Sequence, residues 1–500
     1  MPVTIPHWIN GETIQPASAP SHMIFNPATG ESIANVSFAD ESVCNEAVKA
    51  AANAFPAWAD TPANKRAAIL LEFRQLLKKY QRDLAALVTR EHGKTLDDAM
   101  GSVARGIEVV EHHCAIARQL AGQFSHEVAG HIDCHTIRQP LGVCAGVSPF
   151  NFPVMVPVWM MIPAIACGNT FILKPSEQDP SAPLRLMELL HEAGLPSGVV
   201  NCIQGDKQTV NYLLDHPDIK AFTAVASTPV AEAIYTRATA NGKRAHTFGG
   251  AKNHALIMPD ADMEYAAKAI TGAAYGSAGE RCMALSVVVC VGDETADALI
   301  DQLIPLIQDI RIDAGDVKGA DMGPLISAPH RERVLQEVQA GLEEGAQLLI
   351  DGRLFTHPLH PQGFYLGPCL FDKVDATMSI YQNEIFGPVL VIMRVNSFEE
   401  GLKLVNQHQY GNGTAIFTRD GYSAREYSRR VQAGMVGVNI PIPVPVASHP
   451  FGGWKRSVFG DTNMHGEESI HFYTRRKTIT SRWPVNVPQE GSAFIMPTHE

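Results

Sequence analysis

Between residues 139 and 173 the chain carries no charged side chain, and that run limits the folds open to it more than any other stretch. From 152 to 167 it is almost wholly apolar, yet Pro153, Pro157 and Pro163 punctuate it. A membrane-spanning helix needs about 20 predominantly apolar residues, so the run reads as a buried strand, a loop and a buried helix. The pattern continues downstream. Strands are expected over 143–147, 170–173, 199–203 and 219–225. Helices are expected over 154–167, 182–193, 208–214 and 228–239, with Gly194 capping the second. Repeated strand–helix units imply a parallel sheet covered on both faces. A second α/β block should run from about 255 to 435, with helices at 296–310 and 330–344. Ahead of these units, helical periodicity dominates from 40 to 120 and is clearest over 67–77. Two turn signatures, Asn10-Gly11 and Asn26-Pro27-Ala28-Thr29-Gly30, suggest hairpins in the first forty residues.

Composition narrows the function classes. A chain of 500 residues buries a large core and suggests about three domains. A formal charge of -12 with no basic stripe argues against a nucleic-acid partner. The nine cysteines are scattered, with no CxxC pair and no Cys/His ligand spacing. That argues against a disulfide framework or a metal site and suits a reducing compartment. No basic region followed by an apolar stretch opens the chain, so a cytoplasmic protein with no signal peptide is expected. No G-x-G-x-x-G follows a strand, so the usual dinucleotide fingerprint is missing.

The segment with most chemistry is Ser277-Ala278-Gly279-Glu280-Arg281-Cys282-Met283-Ala284-Leu285-Ser286. Small neighbours let a substrate carbon approach sulfur, and the adjacent arginine is expected to favour the thiolate, the reactive form. Free cysteine is more often a buried core residue, so Cys282 gains weight only with four other segments. These are Ser148-Pro149-Phe150-Asn151-Phe152-Pro153, Lys174-Pro175-Ser176-Glu177, Phe248-Gly249-Gly250-Ala251-Lys252 and Glu384-Ile385-Phe386-Gly387-Pro388. Singly, each reads as a turn, a solvated ion pair or a loop.

Together, in this order, the five segments resemble the aldehyde dehydrogenase superfamily over nearly the whole chain. The resemblance implies a Rossmann-type NAD-binding domain (1–121 and 142–252) and an α/β catalytic domain (253–450). It also implies a β oligomerisation arm with a C-terminal strand (122–141 and 475–490), in a homotetramer. Within that arm, the alternation over 131–137 suits a strand that would otherwise be an exposed edge. The resemblance makes Cys282 the nucleophile and gives the oxyanion to the Asn151 amide and the Cys282 backbone N–H. It assigns NAD to Ser148, Phe150, Lys174, Glu177, Gln178, Ser227, Gly249, Glu384 and Phe386. A carboxylate such as Glu177 facing the 2′-hydroxyl favours NAD over NADP. Ala226 and Ala231 stand where glycines are usual, which would alter the grip on the cofactor.

Hydrolytic members carry a glutamate just before the Gly-Gly turn, and here Thr247 or Phe248 takes that place. Neither can take a proton from water at neutral pH, so the acyl-enzyme should wait for another nucleophile. Glu264, Glu280 or another carboxylate would have to substitute in a CoA-independent, hydrolytic enzyme, which is the competing reading. Three features are closer to the CoA-acylating methylmalonate-semialdehyde dehydrogenase branch. They are Gly250-Ala251-Lys252-Asn253-His254, the Arg281-Cys282 pair, and the terminal segments Asn439-Ile440-Pro441-Ile442-Pro443-Val444-Pro445, Phe459-Gly460-Asp461-Thr462-Asn463 and Phe472-Tyr473-Thr474. The proline-rich turn is expected to wall the substrate funnel. The branch's substrates carry a carboxylate, for which Arg281 and Arg105 are the expected forks. The competing reading of Arg105 is a helix-surface pair with Glu108. Coenzyme A is the implied acyl acceptor, and malonate and methylmalonate semialdehydes are the implied substrates.

Overall fold

The computed structural model describes residues 3–15 and 20–483. Every residue of the Val143–Val147 strand is buried, and its side chains divide between two helical layers. Val143, Ala145 and Val147 face one layer, and Cys144 faces the other. Along Thr170–Lys174, Ile172 faces the first layer while Phe171 and Leu173 face the second. A strand buried on both faces needs helices on both, which explains the missing charges over 139–173. One layer holds Glu41–Asp60, Lys207–Asp215 and Thr228–Ala240. Opposite lie Ala63–Lys79, Met155–Ala166 and Ser181–Glu192.

Five parallel strands run in the order Val200–Cys202, Thr170–Lys174, Val143–Val147, Ile219–Val225, Arg244–Phe248. The chain builds outward from Val143–Val147 in one direction, then crosses to its other side. That reversal opens a crevice beyond the C-terminal ends of Val143–Val147 and Ile219–Val225. Antiparallel strands His7–Ile9 and Glu12–Ile14 extend one edge, and Val458–Phe459 extends the other.

A second sheet of seven strands has its own core. Its order is Gln347–Ile350, Cys369–Asp372, Val389–Val395, Leu285–Val291, Asn253–Ile257, Gly413–Phe417, Met435–Val438. Only Gln347–Ile350 runs antiparallel to its neighbour. The helix expected at 296–310 is Asp293–Gln308, because Gly292 at φ 93° turns the chain straight out of the preceding strand. After residue 450 the chain returns to the first body, where Phe451, Met464, Ile470 and Phe472 join its core. No helix among the described residues is long and apolar enough to cross a membrane.

The expected arm is a three-stranded antiparallel sheet of Phe124–Ala129, Ile132–Pro140 and Thr474–Arg482. The strand over 131–137, which unpaired would be an exposed edge, is covered on both sides. Ile132–Pro140 lies in the middle, paired with Thr474–Arg482 from Pro140↔Thr474 to Ile132↔Arg482. Residues 484–490 of the expected C-terminal strand lie outside the described residues.

Asn169, wholly buried, ties three distant segments together. Its Oδ1 accepts from the Leu141 and Gly142 amides at 2.6 and 3.2 Å. Its Nδ2 donates to the Ala164 and Tyr473 carbonyls at 3.0 and 2.9 Å. Asn169→Ala is expected to destabilise the fold by about 2–4 kcal/mol, because buried backbone groups lose their partners. The check is a lower urea midpoint at unchanged slope; an unmoved midpoint would mean that water replaces the amide.

Candidate active site

The turn that delivers Cys282 is left-handed, with φ 56° at Ser277, 52° at Ala278 and 74° at Gly279. A Cβ at Gly279 would lie 2.1 Å from the Gly387 carbonyl oxygen, so the chain needs glycine at that step. Beyond the turn, Nδ2 of Asn253 and of Asn412 each donates to the Cys282 carbonyl at 3.0 Å. Asn253 also donates to the Ala284 carbonyl at 2.9 Å and accepts from the Gly413 amide at 3.0 Å. Sequence reasoning gave neither asparagine a role. Asn253 lay inside a quoted motif, whereas nothing local to Asn412 marks it.

Two clefts meet at the thiol. One, of about 710 Å³, fills the crevice at the strand reversal. Ser148, Phe150, Lys174, Glu177, Gln178, Ser227, Gly249, Glu384 and Phe386 all line it, with Asn151 and Cys282 at its inner end. The other, of about 310 Å³, is lined by Arg105 and Arg281 and walled by Phe152, Trp159 and Phe451. Ile442 and Val444 of the proline-rich turn complete that wall, as expected. Among the described residues, Cys282 is the one member common to both linings.

The larger cleft fits a nicotinamide dinucleotide. Ser148 Oγ and Asn151 Nδ2 are buried polar atoms without a hydrogen-bond partner there. A Cβ at Gly250 would fall 2.4 Å from a Glu384 carboxylate oxygen, so only glycine leaves that carboxylate its place. The Lys174 ammonium lies 2.8 Å from Glu177. Burial opposes ionisation of Glu177, but the lysine outweighs it and holds the carboxyl below its usual range. The Thr228–Ala240 helix opens onto the cleft at Ser227, whose side chain makes no capping bond, and a helix N-terminus suits a diphosphate. Ala226 lines the cleft but Ala231 does not. The wholly buried Ala231 uses its carbonyl to accept from the Thr247 hydroxyl at 2.8 Å, so the expected effect of Ala231 on cofactor grip is not supported.

The charges around the thiol differ from the expectation. Arg281 does not turn toward sulfur; its Nη2 lies 2.7 Å from Asp98 Oδ1. Burial pushes the Cys282 thiol up to about 12, and the Glu384 carboxylate adds to the rise. Lys94 and the backbone amides of Cys282 and Met283 oppose it. Burial thus favours the protonated thiol at rest, and Lys94 is the cation that opposes it. Glu384 accepts from the Ala251 amide at 2.9 Å, and burial pushes its carboxyl up to about 7. Arg105 does both things weighed for it: it pairs with Glu108 at 2.7 Å and lines the smaller cleft, with Nη2 3.3 Å from the Val444 carbonyl.

Comparison with known proteins agrees with this geometry. The aldehyde dehydrogenase family model matches residues 14–479. The chain belongs to the aldehyde dehydrogenase family. It is 53% identical to the malonate-semialdehyde dehydrogenase of Pseudomonas aeruginosa, over 99% of each chain. To the rat methylmalonate-semialdehyde/malonate-semialdehyde dehydrogenase (acylating), mitochondrial, identity is 44%, over 99% of this chain and 92% of that protein. A Sinorhizobium meliloti crystal structure complexed with NAD, assigned as a methylmalonate-semialdehyde dehydrogenase, superposes with a TM-score of 0.96. That protein is 51% identical, and the match covers 98% of this chain and all 100% of that one.

For a member of this family, the place just before Gly249 decides the fate of an acyl-enzyme. Thr247 is wholly buried with its hydroxyl committed to Ala231, and Phe248 packs edge-on against His246. Glu264 pairs with Lys268 on the exposed face of the Met263–Tyr275 helix. Glu280 is wholly buried, accepts from the Ile326 amide at 3.1 Å, lies behind His330 and itself lines neither cleft. Neither carboxylate weighed as a substitute base lines the site.

A protonated resting thiol gives a measurable signature. Alkylation of Cys282 by iodoacetamide in the free enzyme should rise about tenfold per pH unit from 7 to 9, with no plateau. Glu384→Gln removes the negative charge that disfavours the thiolate, so its rate at pH 8 should exceed the wild-type rate. A plateau near pH 7 in the wild type would mean that the thiolate already exists at rest.

Proposed function

We propose that this protein is an NAD-dependent, CoA-acylating dehydrogenase of malonate and methylmalonate semialdehydes. The observation that carries the reading is the thiol common to two clefts. One is shaped for a dinucleotide, and the other holds Arg105 and Arg281 at 36% and 20% side-chain exposure. Arginine forks of this kind suit a carboxylate that arrives attached to an aldehyde.

The chemistry follows from the residues in place. Cys282 loses its proton and its sulfur bonds to the aldehyde carbon. The oxygen that becomes negative needs donors, and the unpartnered Asn151 Nδ2 and the Cys282 backbone N–H supply them. NAD, when bound, is the hydride acceptor. With the acyl group held on sulfur as a thioester, Arg281 and Arg105 keep the substrate carboxylate in place. Breaking the bond to that carboxylate releases carbon dioxide and leaves its electron pair delocalised into the thioester carbonyl. Asn151 stabilises the resulting enolate oxygen, and the carbon then takes up a proton. The CoA thiol attacks the carbonyl carbon, Cys282 departs, and acetyl-CoA or propionyl-CoA results.

The hydrolytic alternative would need Glu384 as its base, since that carboxylate faces the thiol. We take the first α/β body as the cofactor-binding domain, the second as the catalytic domain and the three-stranded sheet as an oligomerisation arm. Its outer strands are Phe124–Ala129 and Thr474–Arg482, and Phe124 is 65% exposed, which favours pairing with another copy in a homotetramer. Nine unpaired thiols suit the reducing cytoplasm.

The deciding experiment is NADH formation from malonate semialdehyde with and without CoA, with the product identified. Sustained turnover only with CoA, giving acetyl-CoA, is expected; equal turnover without it, giving a free acid, would overturn the acylating reading. Arg281→Leu should raise KM for the semialdehyde about 100-fold more than KM for propanal, the loss expected for a charge-assisted pair. Equal changes in both would remove Arg281 from carboxylate recognition.

A further inference from the structure

Lys94 was not singled out by any motif, yet its buried ammonium reaches Asn151, Phe152 and Asp98. It sits between the helices Gln81–His92 and Leu96–His113, directly after Gly93 at φ 95°. Its backbone is tightly enclosed. A Cβ at Gly315 would lie 2.2 Å from the Lys94 carbonyl oxygen, and the Leu96 amide donates to the Gly315 carbonyl at 2.8 Å. The side chain is wholly buried. Its Nζ donates to the Asn151 carbonyl at 2.7 Å and lies 4.3 Å from the centroid of the Phe152 ring. Asp98 Oδ2 stands 3.8 Å from that nitrogen, while Asp98 Oδ1 holds Arg281 at 2.7 Å. Glu280 and Asp179 attract the ammonium from further away, and Arg281 repels it.

As an ion pair this is a poor device for stability. A buried ammonium is expensive to desolvate, and its nearest carboxylate is not in close contact. The arrangement makes sense as positioning. The Asn151 amide nitrogen has no partner and must stay free for an oxyanion, so Asn151 has to be placed through its backbone. Lys94 grips that backbone. Asp98 in turn caps neither cation fully: it sits between the ammonium and the guanidinium and orients both.

We propose that Lys94 is a positioning residue of the reaction, its buried ammonium seating Asn151 and, through Asp98, setting the Arg281 guanidinium. One charge then orders the oxyanion donor and the substrate cation together. This rests on the roles given above to Asn151 and Arg281.

The test uses the full-length enzyme with NAD and CoA and two substrates, malonate semialdehyde and propanal. Lys94→Met should lower kcat for propanal about 100-fold, as a displaced catalytic group does. It should also slow iodoacetamide alkylation of Cys282 at pH 8 about tenfold, since a buried cation whose charge favours the thiolate is gone. Lys94→Arg should restore the alkylation rate, which depends on charge, and leave kcat low, which depends on the seat of Asn151. A purely structural lysine would lower the melting temperature without moving alkylation of the folded enzyme. Folded Lys94→Met that still binds NAD, with kcat and alkylation within about twofold of wild type, would overturn the proposal. If Lys94→Met does not fold, Asp98→Asn carries the second half: the ratio of KM for the semialdehyde to KM for propanal should rise about tenfold, and an unchanged ratio would break the Asp98 link. The propanal and alkylation arms read Lys94 even if the semialdehyde proves not to be a substrate.

Discussion

Two side-chain amides hold the carbonyl of Cys282, and the rest of the site is arranged around that grip. Asn253 is the first residue of Asn253–Ile257, and Asn412 immediately precedes Gly413–Phe417. Both belong to the second sheet, at the N-terminal ends of its strands, and Cys282 itself precedes Leu285–Val291 at the same edge. The first sheet contributes from the opposite kind of edge. Ser148, Ser227 and Gly249 each follow the C-terminal end of a parallel strand. The reacting centre therefore forms where the C-terminal edge of one sheet faces the N-terminal edge of another. Pinning Cys282 to the second sheet while Asn151 rides on the first makes the distance between nucleophile and oxyanion donor depend on how the two bodies pack. A close interlock such as Gly279 against Gly387 makes sense in that light, because slack there would blur the register of the thiol.

The electrostatics of the resting site run against reaction. Burial raises the thiol, and Glu384 raises it further. Glu384 is itself raised by burial, to about 7, so near neutral pH its own charge is only partly developed. The two groups are coupled: whatever draws the Glu384 carboxylate toward another partner, or neutralises it, makes ionisation of Cys282 easier. A cleft residue facing both cofactor space and sulfur is well placed for that coupling.

Strands and helices were largely legible because the parallel core is buried on both faces, and burial strips charge from the sequence in blocks. The Ile219–Val225 strand and the Met155–Ala166 helix follow from that alone. The residues that line the larger cleft were legible for a different reason. Lys174, Glu177 and Glu384 sit in short motifs whose spacing is set by one strand end or one loop, so a resemblance carries them over residue by residue. What escaped was chemistry assembled from distant segments. Lys94 and Asp98 follow an ordinary helix stop and cap, Gly93 and Thr95, and nothing in that stretch says that the lysine points at Asn151. Arg281 shows the converse error. Adjacency in sequence suggested that it would polarise the sulfur, but a side chain at the next position leaves the backbone in another direction, and Asp98 claims it.

Discrimination among aldehydes follows from the same contrast between shape and charge. The smaller cleft has about 310 Å³ and an apolar wall of Phe152, Trp159 and Phe451, room enough that one methyl group on the substrate meets no tight contact by volume alone. A methyl group in such a wall is worth about 1–3 kcal/mol in any case. In the proposed function, removing the substrate carboxylate costs more, since it leaves half-buried guanidinium groups without that partner. Asp98 tempers that preference by satisfying one side of Arg281 before substrate arrives, which lowers the cost of the empty site. On the proposed function, the selectivity of this cleft is thus first for a charged, short-chain aldehyde over a neutral one, and only weakly for the presence or absence of a branch.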